Sequence, residues 1–254
     1  MAKARIIRAL LTVGVLAAML GGLLYSIYQH DIERARERIA TGSRIAETPC
    51  GPIEYAVAGD GPPLLIVHGA GGGFDQGLDF GKSLVASGFR IIAVSRFGYL
   101  RTPLPNDASA AAQADAHACL LDALNIRRAA VIGASAGAPS SMQFALRHPG
   151  RITALVLLVP AIYVPRPGDA PPLRAPTGTV FLFDTALKSD FLFWAATRFA
   201  RATVMRAILA TPPEVVANAG ADEQARIDEV LAHILPVSPR RPGLINDAQV
   251  IASL

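Results

Sequence analysis

Five residues, Gly133-Ala134-Ser135-Ala136-Gly137, hold a serine between two glycines where an apolar run meets an amphipathic one. "AAVI" before them reads as a buried strand, and "APSSMQFALRH" after them reads as a helix. A strand-to-helix turn this tight strains the serine backbone and lifts its hydroxyl above the sheet. A side chain at Gly133 or Gly137 would collide across the turn. Ser135 is therefore a candidate nucleophile. The competing reading is a serine that caps a helix N-terminus.

A second stretch, "LLIVHGAGGGFDQG" (64–77), runs from a strand into His-Gly and further glycines. Bare backbone amides are thereby brought to the sheet's carboxyl edge, where they can stabilise an oxyanion together with the N–H of Ala136. Two nucleotide-binding readings fail by one position each. A dinucleotide fingerprint from Gly69 and Gly71 needs glycine where Phe74 stands. A P-loop ending in Gly81-Lys82-Ser83 needs glycine where Gln76 stands. His68 ends the wrong strand for a catalytic base and reads as a structural residue of this loop.

A serine hydroxyl also needs a base, and the base needs an orienting carboxylate. Only His148 and His233 follow Ser135. His148 closes the helix after the turn, on the far side from the nucleophile, and reads as structural. His233 has Asp184, at the end of "TVFLFD", as its possible acid. Ile227, Val230, Leu231, Ile234 and Leu235 recur around His233 at helical spacing, however. "FLFDTALKSDFLFW" also reads as helix, with Phe183, Leu187, Phe191 and Trp194 on one face. A cap helix with two polar residues accounts better for this pair than a triad does.

The elements that must position these groups alternate. "IEYAVAG", "PPLLIVHG", "FRIIAVSR", "RRAAVIGAS" and "RITALVLLVP" read as strands. "FDQGLDFGKSLVAS", "ASAAAQADAHACLLDAL" and "AGAPSSMQFALRH" read as helices between them. The pattern predicts an α/β fold with a mainly parallel, doubly wound sheet. After Pro160 a proline-rich segment leads into apolar, aromatic helices, which read as an insertion over the sheet.

With "HGAGGG", "SRFGYLRTP", "GASAG" and "RHPGRITALVLLVP" in this order, the chain from about Gly51 to Pro160 resembles the α/β-hydrolase fold superfamily. The resemblance implies that Ser135 is the nucleophile and that the amides of Ala136 and of Ala70 or Gly71 form the oxyanion hole. It makes the segment after Pro160 a cap over the substrate pocket, and it implies neither metal nor organic cofactor. In the family the sheet continues with two strands that carry the acid and the histidine. "ITALVLLV", uncharged on both faces, reads as a strand with neighbours on both sides, yet no further strand is visible after Ala161. The expectation is a C-terminally shortened serine hydrolase acting on an ester or related carbonyl compound. The alternatives are an inactive anchored binding protein, and a C–C bond hydrolase or perhydrolase of the same fold.

Hydrophobic residues make up 52% of the 254 residues and charged ones 17%. Part of that excess lies in Ala9 to Gln29, an uncharged run that as a helix would span roughly 30 Å. Lys3, Arg5 and Arg8 precede it, favouring a retained single-pass anchor with a cytoplasmic N-terminus and the hydrolase domain outside the cytoplasm. A cleaved signal peptide would need a shorter core and a small-x-small site. The formal charge of +4 flanks this run rather than forming a nucleic-acid stripe. Cys50 and Cys119 lack metal-ligand spacing; an exported domain would allow them to pair, but no geometry is readable from sequence and two free thiols are the preferred reading. The expected organisation is an anchor (1–30), a solvated charged stalk (31–49), the hydrolase core (50–161) and the cap (162–254).

Overall fold

The computed structural model describes residues 2–163 and 185–253. Six strands form one sheet in the order β1-β2-β4-β3-β5-β6. They are β1 (Arg44–Thr48), β2 (Gly51–Ala58), β3 (Pro63–Val67), β4 (Arg90–Val94), β5 (Ala129–Ala134) and β6 (Ile152–Leu158). β2 pairs antiparallel with β1 and β4, whereas β4, β3, β5 and β6 run parallel. Helices α2 (Phe74–Ala86), α3 (Ala110–Ala123) and α4 (Ala138–Arg147) make the crossovers. α2 covers one face through Phe74, against Ile66 and Ile91. α3 and α4 cover the other through Leu120, Leu121 and Phe144, against Leu65, Val67 and Val131.

This topology decides where chemistry can occur. β3 is followed by β4 on one side and by β5 on the other, so the winding direction reverses about β3. A crevice opens at the carboxyl ends of β3 and β5, as it does wherever strand order reverses in such sheets. Val67 pairs with Gly133, so the glycine loop after β3 and the Ser135 turn after β5 leave the sheet side by side.

Several expectations are corrected. The sheet begins at Arg44, inside the segment read as stalk, because Thr48 to Gly51 turns tightly enough to pair β1 with β2. Helix α1 (Ala2–Ala40) continues unbroken through the rest of that segment and is not solvated all round. Tyr28, Ile32 and Ala35 are buried against the cap, and Arg36 and Arg38 pair with Asp190 and Asp75. Periodicity revealed the helix but not the surface waiting for one of its faces. Cys50 and Cys119 are joined in a disulfide: the β1–β2 turn brings Cys50 against α3, across a sequence separation of 69. β6 lies at the edge of the sheet among the described residues, with Val156, Leu158 and Val159 exposed.

The cap comprises α5 (Asp190–Phe199), α6 (Arg201–Ile208), α7 (Pro213–Ala217), α8 (Ala221–Ala232) and α9 (Arg241–Ala252). The aromatic stretch "FLFWAATRFARATVMRAIL" forms two helices, parted at Ala200, whose backbone (φ −131°, ψ 34°) is not helical. A 3-10 turn at Ala186–Lys188 resets the helical phase before α5. Phe193 is therefore buried and Phe191 exposed, the reverse of the expected face, while Leu187 and Trp194 are buried as expected. Phe183 and Asp184 lie outside the described residues.

Candidate active site

Ser135 sits at the first position of a 3-10 turn, Ser135–Gly137, that opens directly into α4. Its φ of 45° lies in the left-handed region, which side chains other than glycine avoid. The turn's closeness is measurable at its two glycines. A Cβ on Gly133 would lie 2.5 Å from Ser141 Oγ, and one on Gly137 would lie 2.5 Å from the His68 carbonyl oxygen. The hydroxyls of Ser140 and Ser141 both donate to the Gly137 carbonyl, at 3.2 and 2.9 Å, and fasten the turn to the helix behind it. In front, the Ala161 N–H donates to the Ser135 carbonyl at 3.1 Å.

The glycine loop touches this turn: a Cβ on Gly69 would lie 3.2 Å from Ser135 Cβ. Accounting for the loop's polar groups shows which are committed. The Gly69 N–H donates to Gln76 Oε1 (3.2 Å), and the Gly71 N–H to the Tyr99 hydroxyl (3.2 Å). The Gly72 N–H donates to the Gly69 carbonyl (3.3 Å). Arg96 holds the His68 and Gly69 carbonyls, and Arg240 holds that of Gly72. The Ala70 N–H makes no hydrogen bond among the described residues. The Ala136 N–H lies in the first turn of its helix, where amides lack intrahelical acceptors. Of the two loop amides expected to face an oxyanion, Gly71 is thus engaged by Tyr99 and Ala70 is free.

A buried polar network clamps the loop. Arg96 forms a two-pronged ion pair with Asp247 of α9 at 2.7 and 2.6 Å, and Tyr99 donates to the same carboxylate at 2.5 Å. Burial works against the charge on Arg96, but Asp247 outweighs it and raises the guanidinium pKa. Burial, then Asp247, pushes the Tyr99 hydroxyl well above its ordinary value, so it remains a donor. On the loop's other side, Arg240 pairs with Asp75 at 2.7 Å and Arg38 joins the same carboxylate at 3.1 Å. These arginines outweigh the burial of Asp75 and bring its pKa down to about 2. Sequence reading missed this network, since Arg96 and Asp247 stand 151 residues apart and Arg240 and Asp75 stand 165 apart. A charged residue directly after a fully buried strand, as Arg96 follows "IIAVS", was the one local signal.

Four of the five histidines are accounted for elsewhere. His68 is fully buried: Nδ1–H donates to the Gly69 carbonyl (2.7 Å) and Nε2 accepts from the Arg96 N–H (3.0 Å). Burial, followed by the nearby Arg96 charge, holds it neutral. Its structural role is the expected one. His148 caps α4 and pairs with Asp115 at 2.7 Å. His117, buried beneath the turn, meets Ser140 Oγ at 3.3 Å, and burial brings its pKa down to about 3. His233 closes α8 and pairs with Asp79 of α2 at 2.6 Å. Burial, then Arg38, lowers its pKa. Among the described residues, no histidine hydrogen-bonds Ser135. Asp79, Glu229 and His233 offer ligand atoms within 4.8 Å of one another, but Lys82 already occupies the other Asp79 oxygen at 2.7 Å.

A left-handed residue at a tight strand–helix turn, set against a glycine loop at the carboxyl edge of a mostly parallel sheet, is the arrangement found in α/β-hydrolase folds. The alpha/beta hydrolase fold family model matches residues 62–210, more than half of the chain, and the chain belongs to that family. It is similar to an uncharacterised hydrolase of Bacillus subtilis, with 39% identity over 42% of this chain and 37% of that one. It is also similar to a 2-hydroxy-6-oxononadienedioate/2-hydroxy-6-oxononatrienedioate hydrolase of Paraburkholderia xenovorans, with 33% identity over 56% of this chain and 57% of the other. The chain thus spans between about a third and somewhat over half of these relatives' lengths. Among solved structures, an alpha/beta hydrolase fold protein from Nakamurella multipartita shares 29% identity, with a TM-score of 0.57. That match covers 84% of this chain and 75% of the other.

Proposed function

We propose that the chain is a membrane-anchored serine hydrolase for a small ester or related carbonyl compound, with Ser135 as nucleophile. The reading is carried by the left-handed backbone of Ser135 beside the free Ala70 amide. Ser135 Oγ attacks the carbonyl carbon while its proton passes to a base. The carbonyl oxygen, now negative, accepts from the N–H groups of Ala70 and Ala136. Collapse breaks the bond to the leaving oxygen, which takes the proton back from that base and departs as the alcohol, leaving acyl-Ser135. Water then attacks the acyl carbon, losing a proton to the base, and releases the acid as Ser135 Oγ is reprotonated. His233 is committed to Asp79, and Asp184 lies outside the described residues, so this reading assigns the base to neither.

The anchor part of the reading rests on α1. Its stretch Arg5–Ala40 is long and apolar enough to cross a membrane, and the apolar residues of its N-terminal half are exposed. The Cys50–Cys119 disulfide supports a hydrolase domain outside the cytoplasm, where such bonds persist.

The test is labelling of the full chain, in its membranes, with a fluorophosphonate probe. An adduct on Ser135 that disappears in Ser135→Ala is the expected result; undiminished labelling of that variant overturns the assignment. A second reading, C–C bond hydrolysis, is favoured by the name of the Paraburkholderia relative. Turnover of a vinylogous diketone acid in preference to simple esters would select it.

A further inference from the structure

A cleft of about 540 Å3 lies between α1 and the cap, away from Ser135. Four arginines line it, Arg34 and Arg38 from α1 with Arg198 and Arg201 from the cap, against two aspartates, Asp31 and Asp228. Asp31 is taken by Arg198 (2.6 Å) and by Trp194 Nε1 (2.8 Å), and Asp228 by Arg201. Arg34 has no ion-pair partner among the described residues. The lining therefore carries an excess of positive charge together with an apolar wall that includes Trp194 and Leu231.

Its position along α1 is informative. At 1.5 Å per residue, Asp31 to Arg38 lie roughly 3 to 14 Å beyond Gln29, where the uncharged run ends. The headgroup layer occupies roughly the first 5–7 Å outside the hydrocarbon, so the near half of the cleft falls within it. Beside the cleft, Tyr28 stacks edge-on against Phe191 (5.1 Å) and packs against Trp194 (5.6 Å). Phe191, Leu192 and Phe199 of the adjacent cap helix remain exposed, Phe199 at 71%. Aromatic groups clustered at the end of a span, with arginines just beyond, suit the boundary between hydrocarbon and headgroups.

We infer that the cap lies on the membrane and that this cleft holds the headgroup of an anionic phospholipid. Phe191, Leu192 and Phe199 meet the acyl boundary, and Arg34 receives the phosphate, with Arg201 beside it shared with Asp228. The inference rests on the anchored reading of α1. The cap would then be held against the bilayer, and the hydrolase would meet substrates arriving from it.

Trp194 lines the cleft and is the chain's single tryptophan, so its fluorescence reports on this site alone. The full chain, reconstituted in phosphatidylcholine nanodiscs, is compared with brominated phosphatidylglycerol or brominated phosphatidylcholine at equal mole fraction. With Arg38 tied to Asp75, Arg198 to Asp31 and Arg201 to Asp228, the one excess charge, on Arg34, predicts about fivefold enrichment of the anionic lipid near Trp194, and hence stronger quenching by it. That preference is expected to vanish in the Arg34→Gln/Arg201→Gln variant and to survive added glycerol phosphate. Equal quenching by both lipids, or unchanged preference in the variant, overturns the headgroup site. Loss of preference on adding glycerol phosphate assigns the cleft to a soluble phosphate compound and overturns the lipid source. No quenching by either lipid overturns the membrane-facing cap. Failure of the anchor itself is read separately, as release of the chain by alkaline extraction of membranes.

Discussion

Replacing Gly137 by alanine tests whether the tightness of the serine turn sets the geometry of the site. The added methyl would stand 2.5 Å from the His68 carbonyl oxygen and 2.6 Å from that of Val67. Both neighbours are backbone atoms at the end of β3, so neither can rotate away. Restoring an ordinary 3.4 Å contact requires the turn and the β3 end to part by about 0.9 Å. That displacement separates Ser135 from the Ala70 amide, since the loop begins at His68. Overpacking of this kind costs about 1–3 kcal/mol, or a fall in Tm of roughly 2–10 °C for a chain of this size. A misplacement near 1 Å costs on the order of 100-fold in rate. Gly150→Ala is the control, since a Cβ there meets nothing within 4 Å. Thermal unfolding and the rate of fluorophosphonate labelling are measured on both variants. A Gly137→Ala variant that melts and labels like the wild type would refute the argument. A lowered Tm with an unchanged labelling rate would show that the turn supports stability without positioning the serine.

Three further outcomes follow from the same geometry. Ser135→Gly relieves a left-handed serine (φ 45°) and is expected to raise stability by about 1 kcal/mol while abolishing labelling; a lowered Tm in that variant would contradict the strain. Asp75 has its pKa brought from 3.8 to about 2, so the unfolded chain binds the proton more readily and the stabilisation, complete above pH 4, is lost as pH falls towards 2. The stability gap between wild type and Asp75→Asn, from denaturant titrations between pH 5 and 2, is expected to shrink by about 2 kcal/mol, and a constant gap would refute it. Reduction of Cys50–Cys119, which closes a loop across 69 positions, is expected to cost about 4 kcal/mol, seen as a lower denaturant midpoint with reductant; Cys50→Ser should abolish that sensitivity.

The sheet and the serine turn were legible because local pattern dictates them. "AAVIGASAG" carries its own strand, glycines and turn, and strands such as "RIIAV" are buried on both faces and read as continuous apolar runs. β1 was not legible: "RIAET" lies among charges and becomes a strand only by pairing with β2. The buried face of α1 was hidden for a related reason, because Ile32 and Ala35 make a weak stripe among arginines until the cap supplies their partner surface. The identity of the free loop amide depended on Tyr99, 28 residues away, whose hydroxyl engages Gly71 and leaves Ala70.

What lies furthest apart in the chain does most to hold the site. Glycine loops approach a nucleophile closely because they lack side chains, and for the same reason they cannot pack themselves into one conformation. Here the constraint is external and comes from both flanks. Arg96 grips the His68 and Gly69 carbonyls while tied to Asp247, and Arg240 grips the Gly72 carbonyl while tied to Asp75. Both carboxylates are almost fully buried, so neither arginine can be lost without leaving a charge uncompensated, a far greater penalty than the pair contributes when intact. Asp247 and Arg240 both belong to the last part of the cap, and Arg38, on the helix that leads away from the apolar run, shares Asp75. The Ala70 amide is therefore positioned jointly by the core, the end of the cap and helix α1.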